Sequence, residues 1–168
     1  MVNERIDAVA PARADRLRVR REAHDPSLWA LLDDVIDPEV PVLSLWELGV
    51  LQDVYRDGAD VVVVMTPTYS GCPAMEAMEA AVRARLCEAG QPNVRIVRRL
   101  SPAWTTDWLS DAARRALVAH GIAAPGAVAC PQCGGTRVTL IAQFGSTACK
   151  ALYRCNECSE AFDVFKSH

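Results

Sequence analysis

The 168-residue chain has no apolar run near the roughly 20 residues that a bilayer-spanning helix needs; its longest pure one is Val61–Met65. A helical membrane span is therefore excluded. The first 25 residues also lack the apolar stretch of a secretory signal, because Arg5, Arg13, Arg16, Arg18, Arg20 and Arg21 alternate with Glu4, Asp7, Asp15 and Glu22. A cytoplasmic protein is expected. Neither sign of charge is in marked excess: 18 Lys and Arg stand against 21 Asp and Glu, a net charge of −3. The overall positive field that drives binding to phosphate backbones is absent, so nucleic acid is not the expected partner. Histidine is scarce as well. His24 lies in the charged N-terminal segment, His120 just before Gly121 and His168 at the last position, and none is a credible general base. There is no Ser/His/Asp set, no phosphate-binding glycine loop and no internal repeat, so no catalytic residue is assigned.

What is present is a core-forming composition, 51% hydrophobic and 23% charged, and a length that suits one compact domain plus a small module. Residues 1–25 read as a flexible charged arm or loosely attached helix. Residues 26–124 read as an α+β domain in the order helix, hairpin, helix, strand, helix. Ser27 is a plausible cap for a helix with Leu28, Leu31, Leu32 and Val35 on one face, ended by Asp37-Pro38. Val50–Tyr55 and Asp60–Thr66 flank the reversal Arg56-Asp57-Gly58-Ala59. The four valines Val61–Val64 predict a central strand buried on both faces. Cys72-Pro73 opens a helix with Met75, Met78, Val82 and Leu86 inward, closed by Gly90. A third strand, Asn93–Leu100, follows as its parallel neighbour, so the sheet is small and mixed. A last helix ends at Gly121, and Pro125-Gly126 marks a linker.

Residues 125–168 carry two Cys-x-x-Cys pairs, Cys130/Cys133 and Cys155/Cys158, with 21 residues between them. Two such knuckles close a tetrahedral four-sulfur site, and the segments around them read as short antiparallel strands, which together make a zinc ribbon. Four thiolates leave no open position on the metal, so Zn2+ is expected to be structural, and a module this small needs it to fold. Of the other cysteines, Cys87 is expected to be packed or half-buried. Cys72, at a helix start, is expected to be a reactive thiolate held below the ordinary thiol pKa of about 8.5, and so to alkylate faster than Cys87. Cys149 is either a core residue of the ribbon or a thiolate favoured by the adjacent Lys150. If Cys72 and Cys149 faced each other they could hold or hand over a soft metal centre, but the sequence does not place them together.

Asp37-Pro38-Glu39, Ser44-Leu45-Trp46-Glu47-Leu48-Gly49, Thr66 with Gly71-Cys72-Pro73, and then Trp104 and Gly121-Ile122 resemble the cytosolic iron-sulfur assembly domain family over about residues 27–122. Joined to a ribbon with Phe144-Gly145-Ser146-Thr147-Ala148-Cys149-Lys150 and Phe162-Asp163-Val164-Phe165-Lys166, the chain resembles the D (or J) subunit family of the phenylacetyl-CoA epoxidase system. The resemblance implies an accessory protein of aerobic phenylacetate degradation that matures or repairs iron-sulfur or iron centres and is not itself the catalyst. It implies Cys72 as the functional thiol, with Asp37 and Glu39 in support, and a transient iron-sulfur cluster as cargo; Cys149 is added as a second thiol for cluster transfer and Thr66, in the same motif, as a supporting residue. The implied partners are other proteins of that system, the iron-sulfur reductase above all, with a homodimer left open. The rival readings are a structural subunit of the oxygenase, a nucleic-acid-binding ribbon and a thiol redox enzyme.

Overall fold

The structure, a computed structural model, describes residues 11–126 and 128–166. Its first sheet is built from β1 (Leu51–Asp57), β2 (Asp60–Met65) and β3 (Val94–Arg98) in the order β1-β2-β3. β1 and β2 form the expected antiparallel hairpin, and β2 and β3 are the expected parallel pair. The valine run occupies the central strand, and every residue from Val61 to Met65 is buried, on both faces of the sheet. Helix α4 (Met75–Glu88) makes the crossover with Met75, Met78, Val82 and Leu86 inward.

Helix α2 (Pro26–Leu32) starts earlier than Ser27 suggests. Asp25 caps it by accepting from the Ser27 N–H, with Pro26 in the first turn, where a missing N–H costs nothing. A short helix, α3 (Leu45–Leu48), sits in the segment for which no element is predicted. It is held by a reciprocal cap: the Ser44 hydroxyl accepts from the Glu47 N–H, and the Glu47 carboxylate accepts from the Ser44 N–H. The helix ends at Gly49, at φ +85°, where an added Cβ would lie 3.0 Å from Trp104 Nε1 and 3.1 Å from Trp108 Cβ. Glycine therefore serves both the left-handed turn and the close approach of two indoles, and Trp104 Nε1 donates to the Leu48 carbonyl there.

The N-terminal arm needs correction. Helix α1 (Pro11–Arg21) is docked on the domain through Arg16, which is only 6% exposed. Its guanidinium donates to the carbonyls of Trp46, Leu51 and Trp108 and lies 4.1 Å from the Trp46 ring centroid. Carbonyl dipoles and an indole face can hold a cation without a carboxylate. The sequence hid this because a basic residue in a charged segment reads as solvated. Residues 1–10 of the predicted arm lie outside the described residues.

The C-terminal sheet has the order β4-β7-β6-β5, made of β4 (Ile122–Ala123), β5 (Val138–Ala142), β6 (Lys150–Cys155) and β7 (Ala161–Phe165). β5, β6 and β7 are antiparallel neighbours, as expected of a ribbon. β4 is not, since it pairs parallel to β7 although it precedes Pro125-Gly126. The linker thus does not separate two independent cores. Phe165, 1% exposed, and Cys149, 5% exposed, belong to the same buried cluster as Trp104 and Leu117, and the Phe165 and Trp104 rings are 5.7 Å apart. Helix α5 (Asp111–Ala119), capped by Ser110, leads into β4 and covers this junction.

Two substitutions test this packing. Phe165→Ala should cost about 3–5 kcal/mol of stability, as for other fully buried rings, in one cooperative urea transition shared by both sheets. Arg16→Ala should cost about 2 kcal/mol, from lost bonds between a charged donor and carbonyls, and hydrogen exchange should show faster amides in α1 while β2 is unchanged.

Candidate functional site

Two sites of different character lie on the ribbon. At one end, Sγ atoms of Cys130, Cys133, Cys155 and Cys158 all lie within 4.8 Å of one another. The Cys130–Cys158 and Cys133–Cys155 separations are 3.7 and 3.6 Å. A tetrahedron with metal–sulfur bonds of about 2.3 Å has edges of about 3.8 Å, so the donor set and its spacing fit a four-coordinate soft metal, and we assign it as a metal site. Backbone N–H groups of Cys158 and Glu157 hold the Cys155 thiol down at about 7, while burial and the adjacent thiols push Cys133 and Cys158 up, as expected of four crowded sulfurs that share protons when no cation lies between them. Gly134, at φ +74°, turns the first knuckle.

The second site lies where the ribbon meets the first domain. Asp37 is buried, and its Oδ1 accepts from the N–H groups of Glu39 and Val40 at 2.8 Å each, which fixes the 37–40 turn and points Glu39 outward from it. From the ribbon, the loop 144–150 closes over Asp163. A Cβ at Gly145 would lie 2.2 Å from Asp163 Oδ1, so only glycine lets the loop come this close. Within the loop Gly145 N–H donates to the Lys150 carbonyl, and the Lys166 ammonium donates to the Ala148 carbonyl. Lys150, 4% exposed, reaches the Glu39 carbonyl at 3.4 Å and Asp163 Oδ2 at 3.6 Å. Cys149 is thereby brought against Glu39, its Sγ donating to Oε2 at 3.8 Å, with the Thr147 hydroxyl 3.1 Å away.

Cys72 approaches the same carboxylates from the loop after β2. Its sulfur accepts from the N–H groups of Ala74 and Met75, and the charges of Glu39 and Asp37 act on it. The structure therefore brings Cys72, Cys149, Asp37 and Glu39 into one electrostatic neighbourhood. It also corrects the expected thiolates. Burial, with Glu39 and Asp37 adding to it, holds Cys72 above the usual thiol range, and the two helix-start N–H groups do not offset this. Helix α4 begins at Met75, three residues after the cysteine, so its dipole acts at a distance. Burial pushes the Cys149 thiol up to about 11 despite Thr147 and the adjacent Lys150. Burial also raises both carboxyls, with Asp37 adding to the effect at Glu39. Cys87 is exposed on α4, contrary to the packed role expected for it. Thr66 lies at the end of β2, 1% exposed, and its hydroxyl has no partner among the described residues.

Lys150 as a buried clasp is what the sequence reading missed, having placed it only as a neighbour of Cys149. Its signal was a lysine flanked by Cys149 and the apolar Ala151-Leu152 at the start of a strand. No helix among the described residues is long and apolar enough to cross a membrane.

A mixed β1-β2-β3 sheet with a crossover helix, carrying a four-cysteine ribbon on its side, defines an iron-sulfur-assembly-type domain fused to a metal-binding β-ribbon. Residues 27–97 match the model described as iron-sulfur cluster assembly protein, and residues 118–166 match the PaaD zinc beta ribbon domain. A protein of Escherichia coli (strain K12), provisionally named as the D subunit of 1,2-phenylacetyl-CoA epoxidase, is 46% identical over 149 residues, 83% of this chain and 90% of that protein. The chain belongs to this epoxidase D-type family. Among solved structures, a domain of unknown function from Bacillus anthracis is similar at 26% identity and a TM-score of 0.50, over 62% of this chain and 95% of that one. A conserved hypothetical protein from Thermotoga maritima is similar at 27% identity and a TM-score of 0.47, over 54% of this chain and 90% of that one.

Thiol accessibility and acidity set an order of alkylation opposite to the one expected from sequence. With iodoacetamide at about pH 7.4, exposed Cys87 should react first, Cys72 several-fold more slowly and Cys149 slowest, and the Cys149 rate should keep rising until pH nears about 11. Peptide mapping by mass spectrometry reads the order. Cys155→Ser should lose the bound metal, measured by elemental analysis, and lower the midpoint of thermal unfolding for both sheets, because β7 is shared with the main core.

Proposed function

We propose that this protein is a cytoplasmic accessory factor of aerobic phenylacetate degradation that takes up iron or an iron-sulfur cluster as cargo and passes it to a protein of the phenylacetyl-CoA epoxidase system, such as its iron-sulfur reductase. Zn2+ is the metal we assign to the ribbon, where it is structural. The observation that carries the reading is the meeting of Cys149 and Glu39, 110 residues apart in sequence and 3.8 Å apart in space, with Cys72 in the field of the same carboxylates. The family model over residues 27–97 and the name of the E. coli relative support it.

The chemistry follows from the acidities. Burial disfavours the charged form of all four acidic groups of the site, and an arriving cation offsets that penalty. As cargo iron bonds to the Cys149 sulfur, the S–H bond breaks and its proton passes to Glu39 Oε2, the acceptor already in place, and from there to solvent. On release the metal–sulfur bond breaks, the sulfur regains a proton, and no electron changes hands. A thiol that stays protonated when empty is also protected from oxidation, which begins from the thiolate. Lys150 holds the segment carrying Glu39 and tempers the negative charge of the loaded site.

Complementation decides between this and a purely structural role in the oxygenase. In cells lacking the native protein, Cys72→Ser and Cys149→Ser should each reduce reductase cluster content and epoxidation of phenylacetyl-CoA at least tenfold while the variants remain folded. Glu39→Gln, which keeps the shape and loses the proton acceptor, should slow loading with a smaller final deficit. Full rescue by both serine variants, together with copurification at a fixed ratio with the oxygenase, would establish the structural role instead.

A further inference from the structure

Strands that end a sheet carry unpaired N–H and C=O groups, and proteins blunt them with charge, proline or short length. Three of the four end strands here follow that rule: β1 carries Asp53, Arg56 and Asp57, β3 carries Arg95 and Arg98, and β4 is only two residues long. β5 is the exception. Val138-Thr139-Leu140-Ile141-Ala142 has no charged residue and no proline, and no other element among the described residues pairs with its outer side. Leu140 is 40% exposed, Ile141 52% and Phe144, just beyond the strand, 62%.

The pairing of β5 with β6 settles which backbone groups are free. The Asn156 N–H donates to the Arg137 carbonyl, and Val138 stands opposite Cys155. By antiparallel alternation Thr139 also bonds β6, while the N–H and C=O groups of Val138 and Leu140 point outward. The bulge between Leu140 and Ala142 lies beyond these residues. The ribbon's own apolar cluster, around Cys155, Phe162 and Val164, has Val138 and Tyr153 only partly buried against it. Leu140 shares a face with Val138 and stands opposite Tyr153, so a short run of free edge adjoins an apolar cluster that is open on the same side.

We infer that β5 is a dimerisation edge whose occupant is the β5 strand of a second copy of this chain, antiparallel to it and centred on Thr139. In that register Val138 of each copy exchanges two hydrogen bonds with Leu140 of the other, which uses the outward groups of both residues. Their side chains extend the two apolar clusters toward each other, and the facing Thr139 residues form a favourable cross-strand pair. Charge selects this arrangement. A parallel, in-register pairing would set Arg137 against Arg137, whereas here each Arg137 faces Ile141 of the second copy. The contact uses the one uncharged edge of the sheet in both copies, so association closes at two and does not grow into a fibre. It is a small contact, and the dimer is accordingly weak. The loops 144–150 leave the joined sheet at opposite ends, so each copy keeps its own junction of Cys149 with Glu39, and the dimer goes beyond the cargo-transfer reading without resting on it.

The test uses the full, metal-loaded chain. Sedimentation equilibrium from about 5 to about 500 μM, the range of weak association, should show a monomer passing into a dimer and nothing larger. Leu140→Lys, at an exposed edge position, should weaken the dimer about tenfold or more, with thermal midpoint and metal content unchanged. The register is read by trapping with oxidised glutathione in a Cys87→Ser background, where two thiols lose two protons and two electrons to form one disulfide and the glutathione disulfide becomes two thiols. Thr139→Cys sets its two sulfurs astride the twofold axis with Cα atoms about 4.5 Å apart, within disulfide reach. It should cross-link about tenfold faster or more than Ile141→Cys, whose two copies lie about 14 Å apart. A chain monomeric throughout, a dimer that Leu140→Lys leaves intact, or equal trapping at the two positions would overturn the proposal, and the first of these would leave the edge to an extended segment of another protein. Sedimentation does not depend on Cys72 or Cys149, so a failed dimer and a failed cargo site give different results.

Discussion

One buried ammonium fixes the junction between the first domain and the ribbon. Lys150 is almost fully removed from water, and its contacts are the Glu39 carbonyl on one domain and the Asp163 carboxylate on the ribbon. Removing a lysine charge from water is costly, and the opposing carboxylate offsets that cost only in one geometry. The clasp thus contributes more to specificity of position than to net stability. Apolar burial of Phe165 and Cys149 supplies the adhesion, while Lys150 fixes which loop of the ribbon faces which turn of the domain. Asp163 reinforces this by accepting from the Ser146 N–H at 3.2 Å, and Gly145 makes room for that contact.

The two cysteine sites are set by different neighbours: in the ribbon sulfur acts on sulfur, and at the junction burial and carboxylates act on sulfur. In the ribbon knuckles backbone N–H groups draw Cys155 down toward about 7, while burial and the neighbouring thiols push Cys133 and Cys158 up, so the four sulfurs share protons that a metal would displace. At the junction, burial and two neighbouring carboxylates oppose the N–H groups and Cys149 stands at about 11, which suits a ligand that binds only while a cation is present. Sequence spacing alone cannot distinguish these environments. A cysteine before a helix and a cysteine beside a lysine both suggest a lowered thiol pKa, yet the effects that win here come from burial and from Asp37 and Glu39, far away in the chain.

That division also explains what was legible from sequence. Local signals carried the first sheet: the Asp57-Gly58 reversal, the valine run and the apolar face of α4 each depend on neighbours within a few positions. The four-sulfur site was legible because its spacing is itself the geometry. The capping box Ser44-x-x-Glu47 that marks α3 was passed over, although its signal is local. Non-local features were not legible. Arg16 looked solvated because its partners are the carbonyls of Trp46, Leu51 and Trp108, which no pattern announces. β4 was missed because two residues carry no periodicity, and its existence depends on β7 lying alongside.

Strand β6 connects the two sites. Lys150 is its first residue and Cys155 its last, so five steps of extended chain, about 17 Å, separate the junction from the metal knuckles. At that distance the two cannot share one ion, and an ion held by the four knuckle sulfurs cannot reach Cys149 without leaving its ligands. The coupling between them is mechanical. The knuckle fixes the far end of β6, pairing with β7 fixes its length, and the near end presents Cys149 to Glu39. A four-sulfur metal with no open coordination position would therefore still bear on the junction, because the placement of the Cys149 thiol beyond the other end of the strand depends on the ladder that the knuckles close.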